Sequence, residues 1–507
     1  MLRIIALASI ATGSTLAPAL YSGAPAAVAS AQPSRGSKID PVRLASLSEF
    51  IDGVLAQQLD NREVAGAVVS VVSNGRILFS RGYGFADVDK GIPADPARSL
   101  FRPGSVSKLF TWTALMQLVE QGRVDLNADV QKYIDFKIPA TQSRPILVKH
   151  LLDHTPGFED RGNITVKSPS EFEPLSVWLP KNIPTRVREP GIEISYSNYG
   201  TALAGYIVQR VSGEPFPDYV ERHIFKPLGM NNTTFREPLP PAMEPNRAIG
   251  YDLVDGRFVA KPFELYHNIM PAGAASSTAD DMARFMIMHL RQGQSGRARI
   301  LKPETARLMH SNLSANVPSL PGFAHGFYVL RESGPRMIGH GGNTADFHSM
   351  LLIAPEADFG IFVSHSGGNG SYQARTELIN AVIGRLFPQA PAPRYAGPMS
   401  APPVGTYRTN RRTYSQPANP RNDIKVSAQD DRGLVVEAAG QKSYWTQVGP
   451  ARYQRVTGAR AGGPHELMEF YGDKSDRKMS FSSQPMLLYR LVEGADPASA
   501  TVSTTLP

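Results

Sequence analysis

The chain has 507 residues, 42% of them hydrophobic and 19% charged, with a formal net charge of +8 and no cysteine. That is apolar material for two or three globular domains, and it excludes disulfides, cysteine nucleophiles, thiolate metal sites and a lipid-modified cysteine. The basic residues form no block interleaved with aromatics of the kind nucleic acid needs, so nucleic acid is not expected as a partner; such a surface fits anionic cell-wall polymers.

At the N-terminus, Arg3 precedes the apolar run IIALASIATGSTLAPAL, and the small-residue sites AVA and ASA follow. This pattern predicts a secretory signal peptide over 1–31, cut after Ala29 or Ala31, and hence a periplasmic or secreted protein. No later stretch reaches the roughly eighteen apolar residues of a membrane span, so none is expected after cleavage. From Val42 to Leu59, the residues Leu44, Leu47, Phe50, Ile51, Val54 and Leu55 recur at helical period, which predicts an amphipathic helix. Two β-rich runs then flank Asn74-Gly75, a hairpin signal. A long, mostly helical region with many Pro and Gly breaks follows. Strand signals return in RMIGHGG, FHSMLLIAP and FGIFVSHS, and the helix ARTELINAVIGRLF closes the unit at Phe387.

Helix and strands at both ends of 32–387 thus enclose a helical middle. The expected fold is α/β (α+β): an antiparallel sheet assembled from the two chain ends, flanked by helices, with a helical region inserted. Residues 388–403 hold six prolines and read as a semi-rigid linker. Beyond it, VGTYRT, DIKVSAQ, GLVVEAAG, ARYQRVTG, HELMEFYG and QPMLLYRLV are strand-like runs at hairpin spacing. They predict an all-β, barrel-like or sandwich domain over 404–495. Between Val404 and Glu493 there are 14 Lys and Arg against 9 Asp and Glu, so this part carries much of the excess charge. Residues 496–507 are small and polar and read as a disordered tail.

Ser-x-x-Lys occurs twice, in FRPGSVSKLF and in SDRK at Ser475–Lys478. Only the first leads into a helix, VSKLFTWTALMQLVEQG, ended by Gly122. At i and i+3, Ser105 and Lys108 share a helix face, and the helix start favours a developing negative charge. A buried lysine sheds its proton easily enough to activate the hydroxyl; the alternative is a serine that only caps the helix beside a solvated lysine. Tyr196 and Asn198 in EISYSNYG precede another helix, and His340, Gly341 and Gly342 sit at a strand in MIGHGGNTADF. Acyl transfer by a serine needs a proton shuttle, a polar aligning group and oxyanion donors, and these residue types suit those parts. Two glycines also let a substrate lie against the strand.

Through FRPGSVSK, HLLDHTPGF, EPGIEISYSNYG, VSGEPFPDYVERHIFKPLGMNNTTF, AGAASSTADDMARF and GHGGNTADF, residues 42–387 resemble the class C β-lactamase and penicillin-binding-protein-like serine hydrolases. That family also includes family VIII esterases and D-amino-acid peptidases. The resemblance implies Ser105 as acylated nucleophile, Lys108 as its general base, Tyr196 as proton shuttle and Asn198 as a substrate contact. It places His340 in the usual Lys-Thr-Gly position, with Gly341 and Gly342 after it, and makes the N–H groups of Ser105 and Asn343 the oxyanion hole. The C-terminal unit resembles the lipocalin-like domains appended to some members.

Tyr266–Asn268 and His365–Gly367 also fit the second and third motifs, but in poorer contexts. His150 and His154 sit four apart without an evident third ligand, so no metal is expected, nor any cofactor. Met282, Phe285, Met286 and Met288 read as helix packing rather than ligands. The expectation is an exported serine hydrolase acting on small ester, amide or D-amino-acid peptide substrates, with weak or no β-lactamase activity. Two alternatives are a cell-wall peptide sensor or D,D-carboxypeptidase, and a structural envelope-binding protein.

Overall fold

The structure, a computed structural model, describes residues 39–492 apart from 163, 332–333, 369, 399–400, 459–465 and 474. The expected signal peptide at 1–31 and the tail at 496–507 lie outside the described residues. Helix α1 (Leu47–Asp60) follows a short helical turn at Pro41–Ala45 and buries Leu47, Ile51 and Leu55. Strands β1 (Gly66–Ser73) and β2 (Arg76–Asp87) turn at Asn74-Gly75, where φ is 53° and 68°. Two successive left-handed residues match the twist of a two-residue hairpin, hence Asn-Gly.

A short β3 (Ile92–Pro93) completes the N-terminal strands. The far end of the segment supplies β4 (Asn312–Ser314), β5 (Phe323–Ala324), β6 (Tyr328–Arg331), β7 (Met337–Asn343), β8 (Phe347–Ala354) and β9 (Phe359–Ser366). Together they form one nine-stranded sheet in the order β3-β2-β1-β9-β8-β7-β6-β5-β4. Antiparallel pairing of β1 with β9, from Gly66 with Ser366 to Ser73 with Phe359, joins the two ends of the segment. Between them lie helices α2 (Lys108–Glu120), α3 (Asn198–Ser212) and α4 (Ala279–Leu290), and α5 (Gly370–Leu386) follows β9.

Every residue of β1 is buried because helices cover both sheet faces. Val69 and Val71 pack with α1 and α5, whereas Val68 and Val72 share a core with α2, α3 and α4. Helix α2 buries Phe110, Trp112 and Leu115 as well as Lys108, the all-round burial of a central helix. Met282, Phe285, Met286 and Met288 are all buried on α4, in packing positions.

The C-terminal part is a closed antiparallel barrel of eight strands. These are β10 (Gly405–Thr409), β11 (Ile424–Asp430), β12 (Gly433–Ala438), β13 (Gln441–Gln447), β14 (Arg452–Gly458), β15 (Leu467–Tyr471), β16 (Lys478–Phe481) and β17 (Tyr489–Leu491). Pairing of β10 with β17 closes it around Tyr407, Val436, Trp445, Met468 and Phe470. Two strands, β13 and β16, are additional to the six runs read from the sequence. β13 (QKSYWTQ) is mostly polar, and its hairpin turn is Ala439-Gly440, with φ of 49° and 76°, rather than an Asn-Gly pair. β16 has only four residues after a charged loop.

The barrel is joined to the sheet-and-helix domain through buried Asn410. Its Nδ2 donates to the Ile194 carbonyl at 3.0 Å, and its Oδ1 accepts the Leu488 N–H at 3.1 Å. The Tyr196 N–H donates to Met486 at 3.1 Å, so the backbone beside a candidate residue is held by the barrel itself.

Candidate active site

A Pro-Gly turn opens the site. Gly104, at φ 53°, allows the chain to reverse into a 3-10 turn, Gly104–Ser107, which runs on into α2. Ser105 is therefore in the turn and half-exposed, and Lys108 is the first residue of α2, wholly buried beneath it. Lys108 Nζ lies 3.1 Å from Ser105 Oγ, donates to Asn198 Oδ1 at 2.8 Å, and donates to the Ala272 carbonyl. Burial holds the lysine well below the usual ammonium range; the Arg411 charge lowers it further and Asp160 opposes. Of those three contacts, the amide oxygen and the carbonyl can only accept. A neutral lysine gives them its two N–H groups and turns its lone pair toward the Ser105 hydroxyl.

Tyr196 and Asn198 are positioned by the start of α3. Ser197 caps that helix by accepting the Gly200 N–H at 3.0 Å, which sets Tyr196 just outside and Asn198 in the first turn. The Tyr196 ring is buried, 4.9 Å from Lys108 Nζ and 4.3 Å from the His154 ring. Its hydroxyl meets no partner at full hydrogen-bond geometry among the described residues. Burial pushes the phenol up to about 12, with the nearby Ser105 hydroxyl and the Arg411 charge acting the other way.

The third side of the site is β7. β6 pairs only with Met337–Gly339, so His340–Asn343 have no strand partner on that side. Gly342 packs directly on the Ser105 turn: a methyl group there would come within 1.8 Å of the Pro103 carbonyl oxygen and 3.0 Å of the Ser105 nitrogen. His340 is fully buried, stacked on Tyr328 at 4.1 Å. Its Nδ1 lies 2.6 Å from the Gly341 carbonyl, which can only accept, so the ring proton sits there and Nε2 is left without a partner. Burial lowers this histidine to about 3, and position 340 is uncharged at neutral pH.

The structure thus brings Ser105, Lys108, Tyr196, Asn198, His340 and the Gly341–Asn343 edge into one place. It leaves the decoys elsewhere. Asn268 binds backbone at Glu171 and Glu173, His365 lies buried within β9, and Ser475 donates to Asp473 in an exposed turn. The Nδ1 atoms of His150 and His154 each accept a backbone N–H, from Leu147 and Ser197. Beside Asn198 is a cavity of about 60 Å³ walled by Ile164, Trp178, Tyr199 and Ile269.

Sequence reasoning missed four parts. His154 stacks on Tyr196, Tyr328 stacks on His340, and Ala272 supplies only a carbonyl. The fourth comes from the barrel: the guanidinium of Arg411 lies 4.6 Å from the Tyr196 ring centroid, and its Nε donates to Asp160 Oδ2 at 2.9 Å. The adjacent Arg411-Arg412 pair is the signal that could have found it, but in sequence it merges with the general excess of charge.

A family model described as Beta-lactamase matches residues 51–383. "Protein flp" of Staphylococcus aureus (strain MW2) is 29% identical over 326 residues, 62% of this chain. The matched stretch spans only 62% of that relative's own length. The octameric penicillin-binding protein homologue from Pyrococcus abyssi shares 22% identity with a TM-score of 0.59, over 87% of this chain and all but 1% of its own (99%). SurE shares 19% identity with a TM-score of 0.63, over 89% of this chain and 100% of its own. Both solved structures are alike in fold.

Proposed function

The chain belongs to the Beta-lactamase family, and from that premise we propose that it is an exported serine hydrolase working through an acyl-enzyme at Ser105. One observation carries the reading: a fully buried Lys108 whose Nζ lies 3.1 Å from a half-exposed serine hydroxyl, with its other contacts both acceptors. As Ser105 Oγ attacks the substrate carbonyl carbon, its proton passes to Lys108 Nζ. The N–H groups of Ser105 and Asn343 hold the oxyanion. Tyr196, protonated at neutral pH, gives its proton to the departing alkoxide or amine and is reprotonated from Lys108. Water then cleaves the acyl-enzyme by the reverse sequence. Asn198 is held by the lysine through Oδ1, leaving Nδ2 for the substrate.

The substrate class follows from what the third motif lacks. His340 is neutral and spends its one N–H on the Gly341 carbonyl. That position offers neither a fixed charge nor a donor to a β-lactam carboxylate. Losing a hydrogen bond to a charged group costs about 1.5–3 kcal/mol. The reading is therefore an esterase or D-amino-acid peptidase with marginal β-lactamase activity. It includes the division at 387/388 and 403/404, a lipocalin-like character for the barrel, and export directed by residues 1–31. Among the described residues, no helix is long and apolar enough to cross a membrane.

A fluorophosphonate probe should label Ser105, and Ser105→Ala should abolish the label. Labelling that persists, or that maps to Ser475, rejects the assignment. In a panel of p-nitrophenyl esters, D-amino-acid amides and a chromogenic cephalosporin, turnover should favour the first two. Efficient cephalosporin hydrolysis with the others at background would reject the substrate class.

A further inference from the structure

The barrel reaches the catalytic centre through the loop after β10. This loop is fastened at several points. The Glu159 carboxylate accepts the Tyr414 and Ser415 N–H groups at 2.7 and 2.9 Å and the Ser415 hydroxyl at 3.1 Å. Thr413 Oγ donates to the Asp160 carbonyl at 2.7 Å, the Asp160 N–H donates to the Arg412 carbonyl at 3.1 Å, and Arg188 donates to the Asn410 carbonyl. With its backbone anchored on both sides, Arg411 has little freedom to leave the Tyr196 ring, 4.6 Å away.

We propose that Arg411 is a positioning residue of the hydrolytic centre: its fixed charge, brought in by the barrel, keeps the Ser105–Lys108–Tyr196 set one proton short and so ready to act. The barrel is then a working part of the active site. This inference rests on the serine hydrolase reading above.

Three observations carry it. The first is geometry, since Arg411 and Lys108 Nζ both lie within 5 Å of the same ring, at 4.6 and 4.9 Å. The second is the scarcity of other charges. Around Lys108 and Tyr196 stand His154, His340 and Tyr328, all buried and all held neutral by that burial. Among the described residues, the formal charges acting on Lys108 are Arg411 and Asp160, of opposite sign. The third is the vacancy of charge at position 340, where the related motif carries lysine and this chain carries a neutral imidazole. A cation near a lysine disfavours its protonated form, and a cation near a phenol favours its ionised form. Both effects draw a proton out of the set. Asp160 works against them, so the two residues form an opposed pair whose separate removal should have opposite consequences.

The test uses the full chain and a neutral p-nitrophenyl ester, and follows kcat/KM from pH 5 to pH 10 together with fluorophosphonate labelling of Ser105. In wild type the rate should fall on the acid side as the base becomes protonated. Arg411→Gln should move that acid limb to higher pH by about one unit, lowering the rate about tenfold below the limb, with recovery at high pH. Arg411→Lys, which keeps the charge, should leave the limb near its wild-type position. Asp160→Asn should move it to lower pH. Opposite shifts from two residues that bond to each other are not produced by a merely structural role. A uniform loss at every pH in Arg411→Gln, an unmoved limb, or limb shifts of the same sign in both variants would overturn the proposal. So would a loss confined to KM for carboxylate-bearing esters, which would make Arg411 a substrate contact. Wild-type enzyme that labels at Ser105 while Arg411→Gln keeps the limb defeats this inference alone. Wild-type enzyme that fails to label defeats the hydrolase reading, and this inference with it.

Discussion

At the scale of single residues, the proposed chemistry turns on Lys108. Its burial is complete, and Asn198 Oδ1 and the Ala272 carbonyl satisfy both N–H groups of a neutral amine. Lys108→Ala should slow acylation of Ser105 by at least about a hundredfold, the scale of losing a general base. Lys108→Arg should not restore it, because a guanidinium holds its proton at every accessible pH. Stopped-flow acylation by an activated ester measures both; near-wild-type rates in either would reduce Lys108 to a helix residue. The sign with pH follows from the depressed lysine. The active form prevails above its lowered pKa and is lost as pH falls through it. Much of this was legible in FRPGSVSK, since the i, i+3 spacing puts serine and lysine on one face. What spacing could not convey was depth, or the carbonyl of Ala272, which has no side-chain signature. Nor could it reveal that His340 spends its only N–H on the next residue's carbonyl.

Among the elements, the connection from β10 to β11 fastens the barrel to the preceding domain. Asn410 is buried and binds the Ile194 carbonyl and the Leu488 N–H through its side chain, while its own carbonyl accepts from Tyr414 Oη at 3.3 Å. Asn410→Ala would leave Ile194 and Leu488 with unpaired buried backbone groups. The expected loss is about 2–4 kcal/mol, read as a lower urea midpoint at unchanged slope. Because Tyr196 is two residues beyond Ile194, Ser105 labelling should slow as well; an unchanged midpoint would show that the seam is held elsewhere. The alternating strands and the α1, α2 and α3 helices were readable from hydrophobic period and end signals. β13 and β16 were not. QKSYWTQ shows little apolar alternation and KMSF is too short to establish a period, so each is a strand only because its neighbours close a barrel around it.

For the molecule as a whole, the sheet built from both ends of the 32–387 unit was visible in the order of elements, whereas the seam with the barrel was not. The residues that make the seam, among them Glu159, Asp160, Arg188 and Arg411, look in sequence like ordinary surface charges. A second whole-molecule property was equally hidden, because burial alone determines it. His340 and His365 are buried in different places, and burial lowers each to about 3. His154 and His289 are depressed in the same direction. An unfolded histidine titrates near 6.5, so between about pH 3 and 6.5 the unfolded chain binds more protons than the folded one. Stability therefore rises with pH across that window: the contribution is fully present above 6.5 and is lost as pH falls toward 3. Asp153, pushed up to about 6 by burial, acts in the opposite sense, as do Glu237, Asp281, Asp346 and Glu466, which burial also raises, but the lowered histidines outnumber them, nine to five. At pH 5 His340 and His365 each cost about 2 kcal/mol, which is a sizeable fraction of the stability of a typical domain. Urea unfolding at pH 7 and pH 5 should show a large drop in midpoint at the lower pH. His365→Leu, in β9 and outside the proposed catalytic set, should shrink that drop, because it removes one protonation site that burial holds neutral in the folded chain. Equal midpoints at the two pH values, or the same drop in His365→Leu as in wild type, would mean that these rings can take up protons without unfolding the chain.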